Sequence, residues 1–290
     1  MKIKIESYYH KSSYTWSHLV ICQETNSAVL IDPVLDYSTS NSMTSTDFID
    51  VILDDINENK WQLDYVLETH IHADHLTAAA YIKNKLGTKT LIGEDVVKVQ
   101  ETFKKVFNLD ENFAANGLQF NALLSNKEII KFGNCELMAL STPGHTLDSM
   151  SYIVGNNVFI GDTLFSPDYG SARCDFPGGD AEILYDSVQS IYALGSDKKL
   201  YLCHDYPGEN RAAKAWYLSS EQQNHNIHLK GNTSKKEFVC LRETRDKKLQ
   251  VPKLLLPSVQ VNIAAGTMPD PESNGVSYLK IPINNKLKKT

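Results

Sequence analysis

Several features that would place the chain in a special class are missing from its sequence. No segment approaches the ~18 consecutive apolar residues of a membrane-spanning helix. The opening residues, MKIKIESYYHKSS, lack the apolar stretch of a secretory signal peptide. Neither an internal repeat nor a low-complexity segment is visible. These absences exclude solenoid and membrane-embedded classes, and we expect no membrane partner.

Excess positive charge and paired cysteines are also missing. Lys and Arg number 29 against 35 Asp and Glu, for a net charge of −6. Phosphate backbones need a basic surface, so no nucleic-acid partner is expected. An odd number of cysteines without paired spacing is typical of free thiols in a reducing compartment, which predicts a cytoplasmic enzyme. The five are Cys22, Cys135, Cys174, Cys203 and Cys240.

Short apolar strands and amphipathic helices alternate over residues 1–232. Asp47 to Glu58 carries its apolar residues on one helical face, and a helix from Leu76 to Leu86 should stop at Gly87. Hairpins are predicted across 132–134 and 155–157. The order strand, strand, helix occurs twice. Two such halves packed face to face predict an α/β fold, the αββα four-layer sandwich.

The character of the chain changes from residue 233 onward. Ser234 to Glu237 has the pattern of a capped helix start, and five prolines punctuate the remaining residues. We therefore predict two parts. Residues 1–232 form the catalytic domain, and residues 233–290 form a helical and irregular C-terminal extension packed on it.

Ligand-type side chains cluster in the motif HIHADH at residues 70–75, directly after a predicted strand. His145, Asp162 and His204 each follow a further strand and end in a turn. Side chains at neighbouring strand ends can converge, and imidazoles with carboxylates suit zinc or iron. The other histidines lack this context. His225 and His228, three residues apart, are expected on a solvated helical face.

These motifs resemble a known family. THIHADH, TPGH, GD and CHD, in this order, are similar to the signature of the metallo-β-lactamase superfamily. Thr77 and the segments RCDFPGGD at 173–180, HDY at 204–206 and PSVQVN at 257–262 resemble its persulfide dioxygenase branch. That branch includes bacterial β-lactamase-like hydrolases linked to sulfide detoxification.

The resemblance implies one Fe(II) per chain, held by His70, His145 and Asp162 as catalytic ligands. Two histidines and one carboxylate form the facial triad of non-haem iron oxygenases. The implied reaction oxidises glutathione persulfide, or that of another small thiol, with O₂ to sulfite and thiol. Zinc competes well for such ligands. Family members often dimerise, so monomer and homodimer both stay open.

Further residues receive roles by the same resemblance. Arg173 and Tyr206 are the candidates for substrate binding, although Arg173 equally fits a brace of its loop through Asp175. Cys174, beside a cation, is a candidate reactive thiol, with a small buried residue as the favoured interpretation. The residues expected to orient the ligands or to hold a second metal are His72, Asp74, His75, His204 and Asp205, the last by holding a ligand histidine.

Two alternatives remain open. All ligands for a dinuclear zinc site are present, which fits a thioester hydrolase of the glyoxalase II kind, a hydroxyacylglutathione hydrolase. Thr77 and the RCDF element argue against it, and so do Ala78 and Ala79, where glyoxalase II enzymes usually have glycines. The second alternative is a non-catalytic sulfur carrier or sensor that uses Cys174.

Overall fold

The computed structural model describes residues 2–209 and 211–284. The first half contains β1 (Ile3–His10), β2 (Thr15–Cys22), β3 (Ser27–Ile31), β4 (Val34–Tyr37), β5 (Thr44–Ser45), β6 (Gln62–Leu67), β7 (Leu76–Thr77), β8 (Lys89–Gly93) and β9 (Ala122–Leu124). The second half contains β10 (Ile129–Phe132), β11 (Cys135–Ser141), β12 (Met150–Val154), β13 (Asn157–Phe159), β14 (Lys199–Tyr201) and β15 (Trp216–Leu218). The helices are α1 (Asp47–Glu58), α2 (Ala79–Leu86), α3 (Val96–Val106), α4 (Ala181–Tyr192), α5 (Ser219–His225), α6 (Lys235–Asp246) and α7 (Leu255–Asn262). Within the described residues, no helix has the length and apolar character needed to cross a bilayer.

Two six-stranded mixed sheets form the centre of the fold. The first has the order β1-β2-β3-β6-β8-β9, and the second has the order β10-β11-β12-β13-β14-β15. Strands β3, β6 and β8 run parallel, and so do β13 and β14. Both predicted hairpins are present, because β10 pairs antiparallel with β11 and β12 with β13. Parallel neighbours bring several strand ends to one edge of each sheet.

Alternation along β2 shows how the layers arise. Successive side chains of a strand point to opposite faces. Val20 and Cys22 lie in the core between the two sheets. Leu19 and Ile21 lie on the other face, against α1 and α2.

The second sheet repeats this arrangement with α4 on its outer face. Asp180 caps the start of α4, and its carboxylate accepts from the backbone amides of Glu182 and Ile183. The predicted αββα sandwich is therefore confirmed.

One predicted helix is shorter than expected. Leu76 and Thr77 form β7, which pairs with β4 through Val34 and Leu35, and the helix begins only at Ala79. A small third sheet, β5-β4-β7, results. The periodicity of the segment does not reveal this pairing because its partner lies about forty residues earlier. Gly87 ends the helix in the left-handed region, at φ 72°, as predicted.

Contacts of α6 and α7 show how the C-terminal extension packs on the rest of the fold. Ser234 and Glu237 form the predicted capping box of α6, and Phe238 is buried in the core beneath α4. On α7, the Asn262 amide donates to the carbonyls of His72 and His75 at 2.8 Å each. The boundary at residue 233 stays a prediction, and residues 285–290 of the predicted extension lie outside the described residues.

Candidate metal centre

Strand ends from both sheets bring the predicted ligands together. The HIHADH segment follows β6, and His145, Asp162 and His204 follow β11, β13 and β14. Backbone bonds across the two sheets fix this edge. The amide of Met150 donates to the carbonyl of Thr69 at 2.8 Å, and that of Trp16 donates to Cys203 at 2.7 Å. The site therefore lies at the seam between the sheets.

His70, His145 and Asp162 form one candidate ligand triplet. One ligand atom from each lies within 4.8 Å of the others. His145 Nε2 is 3.6 Å from Asp162 Oδ2. All three side chains are buried. The two imidazoles and the carboxylate therefore converge on a single point.

A second group lies beside the triplet. It comprises His72, Asp74, His75 and His204, again with ligand atoms within 4.8 Å of one another. His204 Nε2 is 3.1 Å from Asp74 Oδ2 and 3.5 Å from Asp162 Oδ1. Asp162 thus turns one oxygen towards each group.

Unpaired buried atoms test whether a cation fits. A buried polar atom without a partner costs free energy, so such atoms are rare. A metal ion would satisfy nitrogen lone pairs and carboxylate oxygens together, and this donor chemistry suits zinc or iron. Four buried atoms at the two groups have no hydrogen-bond partner among the described residues: His72 Nδ1, His75 Nε2, Asp162 Oδ1 and His204 Nε2.

Hydrogen bonds to the far side of each ring prepare the triplet histidines for ligation. His145 Nδ1 donates to the carbonyl of Arg173 at 2.7 Å. His70 Nδ1 lies 3.0 Å from Thr69 Oγ1, whose own hydroxyl donates to Asp32 at 2.9 Å. These bonds place the ring hydrogens on Nδ1 and leave Nε2 free. Burial and the neighbouring imidazoles also hold the pKa of His70 well below its ordinary value, which favours the neutral ligand form.

Asp32 supports the HIHADH motif, a role that the sequence pattern does not indicate. Its carboxylate accepts from the Thr69 amide at 2.7 Å and from His72 Nε2 at 3.0 Å. Burial alone would lower the pKa of His72, but Asp32 and Glu68 beside it raise that pKa well above its ordinary value. In the sequence, Asp32 stands before Pro33 at the end of a predicted strand, and this pattern indicates only that the strand stops there.

A cavity of about 240 Å³ opens beside the triplet. Asp74, His145 and Asp162 are among its lining residues. Two further kinds of side chain line it. The aromatic ones are Phe165, Tyr169, Phe176 and Tyr206, and the nitrogen bases are Arg173, His228, Arg242 and Arg245.

Comparison with known proteins agrees with this geometry. The family model described as Metallo-beta-lactamase superfamily matches residues 13–204. The chain belongs to this superfamily. The predicted family is confirmed, and together with the ligand cluster it identifies a metal-dependent enzyme.

Three similar proteins narrow the position within the superfamily. "Glyoxylase B2" of Dictyostelium discoideum is 44% identical over 285 residues, covering 98% of each chain. "Persulfide dioxygenase ETHE1, mitochondrial" of Homo sapiens is 27% identical over 241 residues, covering 82% of this chain and 79% of that one. The crystal structure of ETHE1 from Myxococcus xanthus superposes with a TM-score of 0.73 at 29% identity, covering 91% of this chain and 100% of the other. The resemblance to the persulfide dioxygenase branch of the superfamily is thus confirmed.

The prediction that Asp205 holds a ligand histidine is wrong. Its carboxylate accepts two hydrogen bonds from Arg211, both 2.6 Å long, and one from the Lys214 amide at 2.8 Å. The guanidinium therefore occupies both oxygens. Sequence adjacency to His204 suggested the role, but the carboxylate points away into the loop that follows β14.

Arg173 and Tyr206 both line the cavity, as expected for substrate-facing residues. The Arg173 guanidinium, however, is bound by Asp175 at 2.6 and 2.8 Å and by the Gln250 carbonyl at 2.6 Å. These contacts favour the bracing interpretation for Arg173. Tyr206 stacks on Tyr169 with ring centroids 4.4 Å apart and stays a predicted substrate-binding residue.

The reactive-thiol hypothesis for Cys174 is contradicted. The side chain packs in the core under α4, and its backbone amide donates to Asp246 at 2.8 Å. Burial raises the pKa of the thiol, and the carboxylate of Asp246 raises it further. A neutral, enclosed thiol is a poor nucleophile. The alternative of a sulfur carrier built on Cys174 loses its chemical basis.

Replacing Cys174 with alanine should therefore leave turnover within about twofold of wild type, because no chemistry passes through a buried neutral thiol. Native protein treated with a thiol reagent should show fast labelling of the exposed Cys240 in both proteins. Loss of a fast-reacting thiol in the Cys174→Ala variant, or a more than tenfold drop in its turnover, would restore the reactive-thiol hypothesis.

The predicted solvent exposure holds for His225 and is wrong for His228. His225 ends α5 and is exposed, as expected, but His228 lies beyond the helix and is 5% exposed. Its ring lines the cavity and rests against Gly170, where an added Cβ would meet His228 Nδ1 at 2.2 Å. The three-residue spacing predicted a shared helical face, but the helix ends at His225 and the chain is extended at Asn226.

Proposed function

We propose that the chain is a persulfide dioxygenase that converts a small-thiol persulfide, O₂ and water into the thiol and sulfite. The observation that carries the proposal is the buried triplet of two imidazoles and one carboxylate beside a cavity. Such a facial arrangement leaves coordination positions for two further groups. Similarity to the human and Myxococcus proteins supports the same reaction.

Each part of the site has a task in this proposal. Iron bound at the triplet would supply the one-electron chemistry that side chains cannot. His70 and His145 present neutral Nε2 atoms, with their orientation fixed by Thr69 and the Arg173 carbonyl. Phe165 and Phe176 line the cavity next to the triplet and exclude water from the sulfur end of the substrate.

A second candidate function is a dinuclear metal-dependent thioester hydrolase. The second ligand group and the unpaired Asp162 Oδ1 favour it, since they would hold another ion. The name of the Dictyostelium relative points in the same direction. Two metal ions held by these two groups would supply the activation of water that hydrolysis of a thioester needs.

Metal analysis and an oxygen electrode separate the two functions. Protein loaded anaerobically with Fe(II) should consume O₂ with glutathione persulfide and release one sulfite per O₂, at a rate typical of enzymes, ~1–10³ s⁻¹. One iron per chain is expected. Two zinc ions per chain with turnover of S-lactoylglutathione, and no O₂ uptake in the iron form, would favour the hydrolase instead.

A further inference from the structure

A second cavity, of about 550 Å³, opens beside the turn that joins β1 to β2. Hydroxyl side chains such as Ser13 and Ser38 line it, together with the apolar groups of Leu35, Tyr37 and Leu254. Its volume lies in the range of cavities that hold small organic molecules. The lining suits a small molecule that has both an apolar and a polar part.

Three side chains in and behind the wall of this cavity form a hydrogen-bonded series. His10 Nε2 lies 2.9 Å from Asp36 Oδ1, and His10 Nδ1 lies 2.7 Å from Ser13 Oγ. Because a carboxylate can only accept, the ring hydrogen is on Nε2 and the lone pair of Nδ1 faces Ser13. The Ser13 hydroxyl therefore donates to His10. A nucleophile bonded to a base, with a third group that orients the base, is the arrangement that activates serine.

The local fold holds the imidazole in this orientation. His10 ends β1 opposite Thr15 of β2, and the chain turns through Ser13 between them. Asp36 lies on β4, and its second carboxylate oxygen accepts from the Phe48 amide at 2.9 Å. The ring of Phe48 packs edge-on against the buried His10, with centroids 4.9 Å apart. His10 is thus fixed on one side by a carboxylate and on one face by an aromatic ring.

Ser13 differs from the other hydroxyl groups around the cavity. It is half-buried, and its oxygen is held at 2.7 Å by the hydroxyl of Thr15 as well as by His10. Ser12, its neighbour in sequence, is exposed and lines the same cavity, but it makes no hydrogen bond to an imidazole within the described residues. Only one of these two adjacent serines is therefore paired with a base.

We propose that Ser13 is a nucleophile that accepts the acyl group of small activated esters, with His10 as its base and Asp36 as a positioning residue. Ser13 Oγ bonds to the acyl carbon, its proton passes to His10 Nδ1, and the leaving alcohol takes that proton as the ester C–O bond breaks. Water, deprotonated by His10 in turn, then releases the acid. One ester and one water give one acid and one alcohol, so the step consumes no oxidant or reductant.

A fluorophosphonate probe tests the nucleophile directly, because its phosphorus bonds to an activated serine oxygen as fluoride leaves. Asp74 and His75 of the second ligand group also line this cavity, so the protein is labelled both as isolated and after removal of metal by a chelator. Peptide mass spectrometry should place the adduct on Ser13 in both samples. Ser12→Ala, the matched control, should label like wild type, and Ser13→Ala should not label. No adduct on wild type, or equal labelling of Ser12 or Ser38, would overturn the proposal.

Hydrolysis of p-nitrophenyl acetate by metal-free protein measures the contribution of each member. Wild type and Ser12→Ala should exceed Ser13→Ala and His10→Ala by at least ~10²-fold in kcat, the lower end of what a positioned base contributes. Asp36→Asn should lower kcat with little change in KM, since it acts through His10 and does not touch the ester. Thermal unfolding verifies the fold of each variant. Equal rates for wild type and Ser13→Ala would refute the nucleophile whatever the stability of His10→Ala.

The dependence on metal separates this activity from the proposed function. Chelation should abolish both O₂ uptake with glutathione persulfide and turnover of S-lactoylglutathione, and leave the Ser13 adduct and the hydrolysis of p-nitrophenyl acetate in place. Ester hydrolysis that disappears with the metal would belong to the metal centre and would refute the role of Ser13. A Ser13 adduct in protein that consumes no O₂ when loaded with iron would refute the dioxygenase and leave the nucleophile standing.

Discussion

Replacing Asp162 with alanine should remove the bound metal and abolish turnover. Asp162 Oδ2 faces His145 at 3.6 Å and Oδ1 faces His204 at 3.5 Å, so a single substitution takes an oxygen from both ligand groups. Loss of an outer hydrogen-bond partner typically lowers metal affinity or activity ~10–100-fold. Asp162 is itself a ligand and borders both groups, so its loss should lower metal affinity by more than that range.

The measurement for Asp162→Ala is metal content by elemental analysis, followed by O₂ uptake and sulfite release. We expect under about a tenth of the wild-type metal per chain. Asp186→Ala is the control, because that carboxylate is exposed and pairs with Lys235 on the surface. Full metal occupancy with wild-type turnover in Asp162→Ala would disprove the ligand assignment.

Replacing Asp32 with alanine should destabilise the fold by about 1–3 kcal/mol, since it leaves the His72 Nε2–H donor buried without its closest acceptor. Burial alone would raise the pKa of Asp32, but His72 and the Thr69 amide and hydroxyl beside it lower that pKa. The substitution also removes the acceptor for Thr69, which orients His70. Metal affinity should therefore fall ~10–100-fold as well.

Denaturant unfolding of metal-free protein isolates the stability effect of Asp32→Ala from metal binding. Asp54→Ala, on the exposed face of α1, should change the free energy of unfolding by less than about 0.5 kcal/mol. If Asp32→Ala and Asp54→Ala unfold at the same denaturant concentration, the hydrogen bond between Asp32 and His72 does not contribute to stability.

The ligands were predictable because their signal is local. Each of His70, His145 and Asp162 stands at the end of an apolar strand, and strand ends on one side of a sheet converge. The sandwich was predictable for a similar reason, since alternation along β2 and helical periodicity along α1 both identify buried faces. Short-range sequence patterns were therefore sufficient to predict the layers of the fold and the position of the candidate metal centre.

The support around the ligands was not predictable in this way. His228 contacts Ser171 across 57 residues of sequence, and Asp32 contacts His72 across 40. Such contacts depend on how distant loops pack, and no periodicity within either segment encodes them. Asp205 illustrates the converse error, because its neighbour in sequence, His204, is not its partner in space.

The cavity wall combines residues of the sandwich with residues of the C-terminal extension. His145 and Asp162 follow strands of the sandwich, whereas Arg245, Leu249 and Pro252 belong to α6 and the turns after it. Substitutions at these three positions can therefore change the shape and charge of the cavity without replacing a ligand-type side chain. Asn262 differs from them, because its amide holds the carbonyls of His72 and His75 and so ties the same extension to the ligand motif.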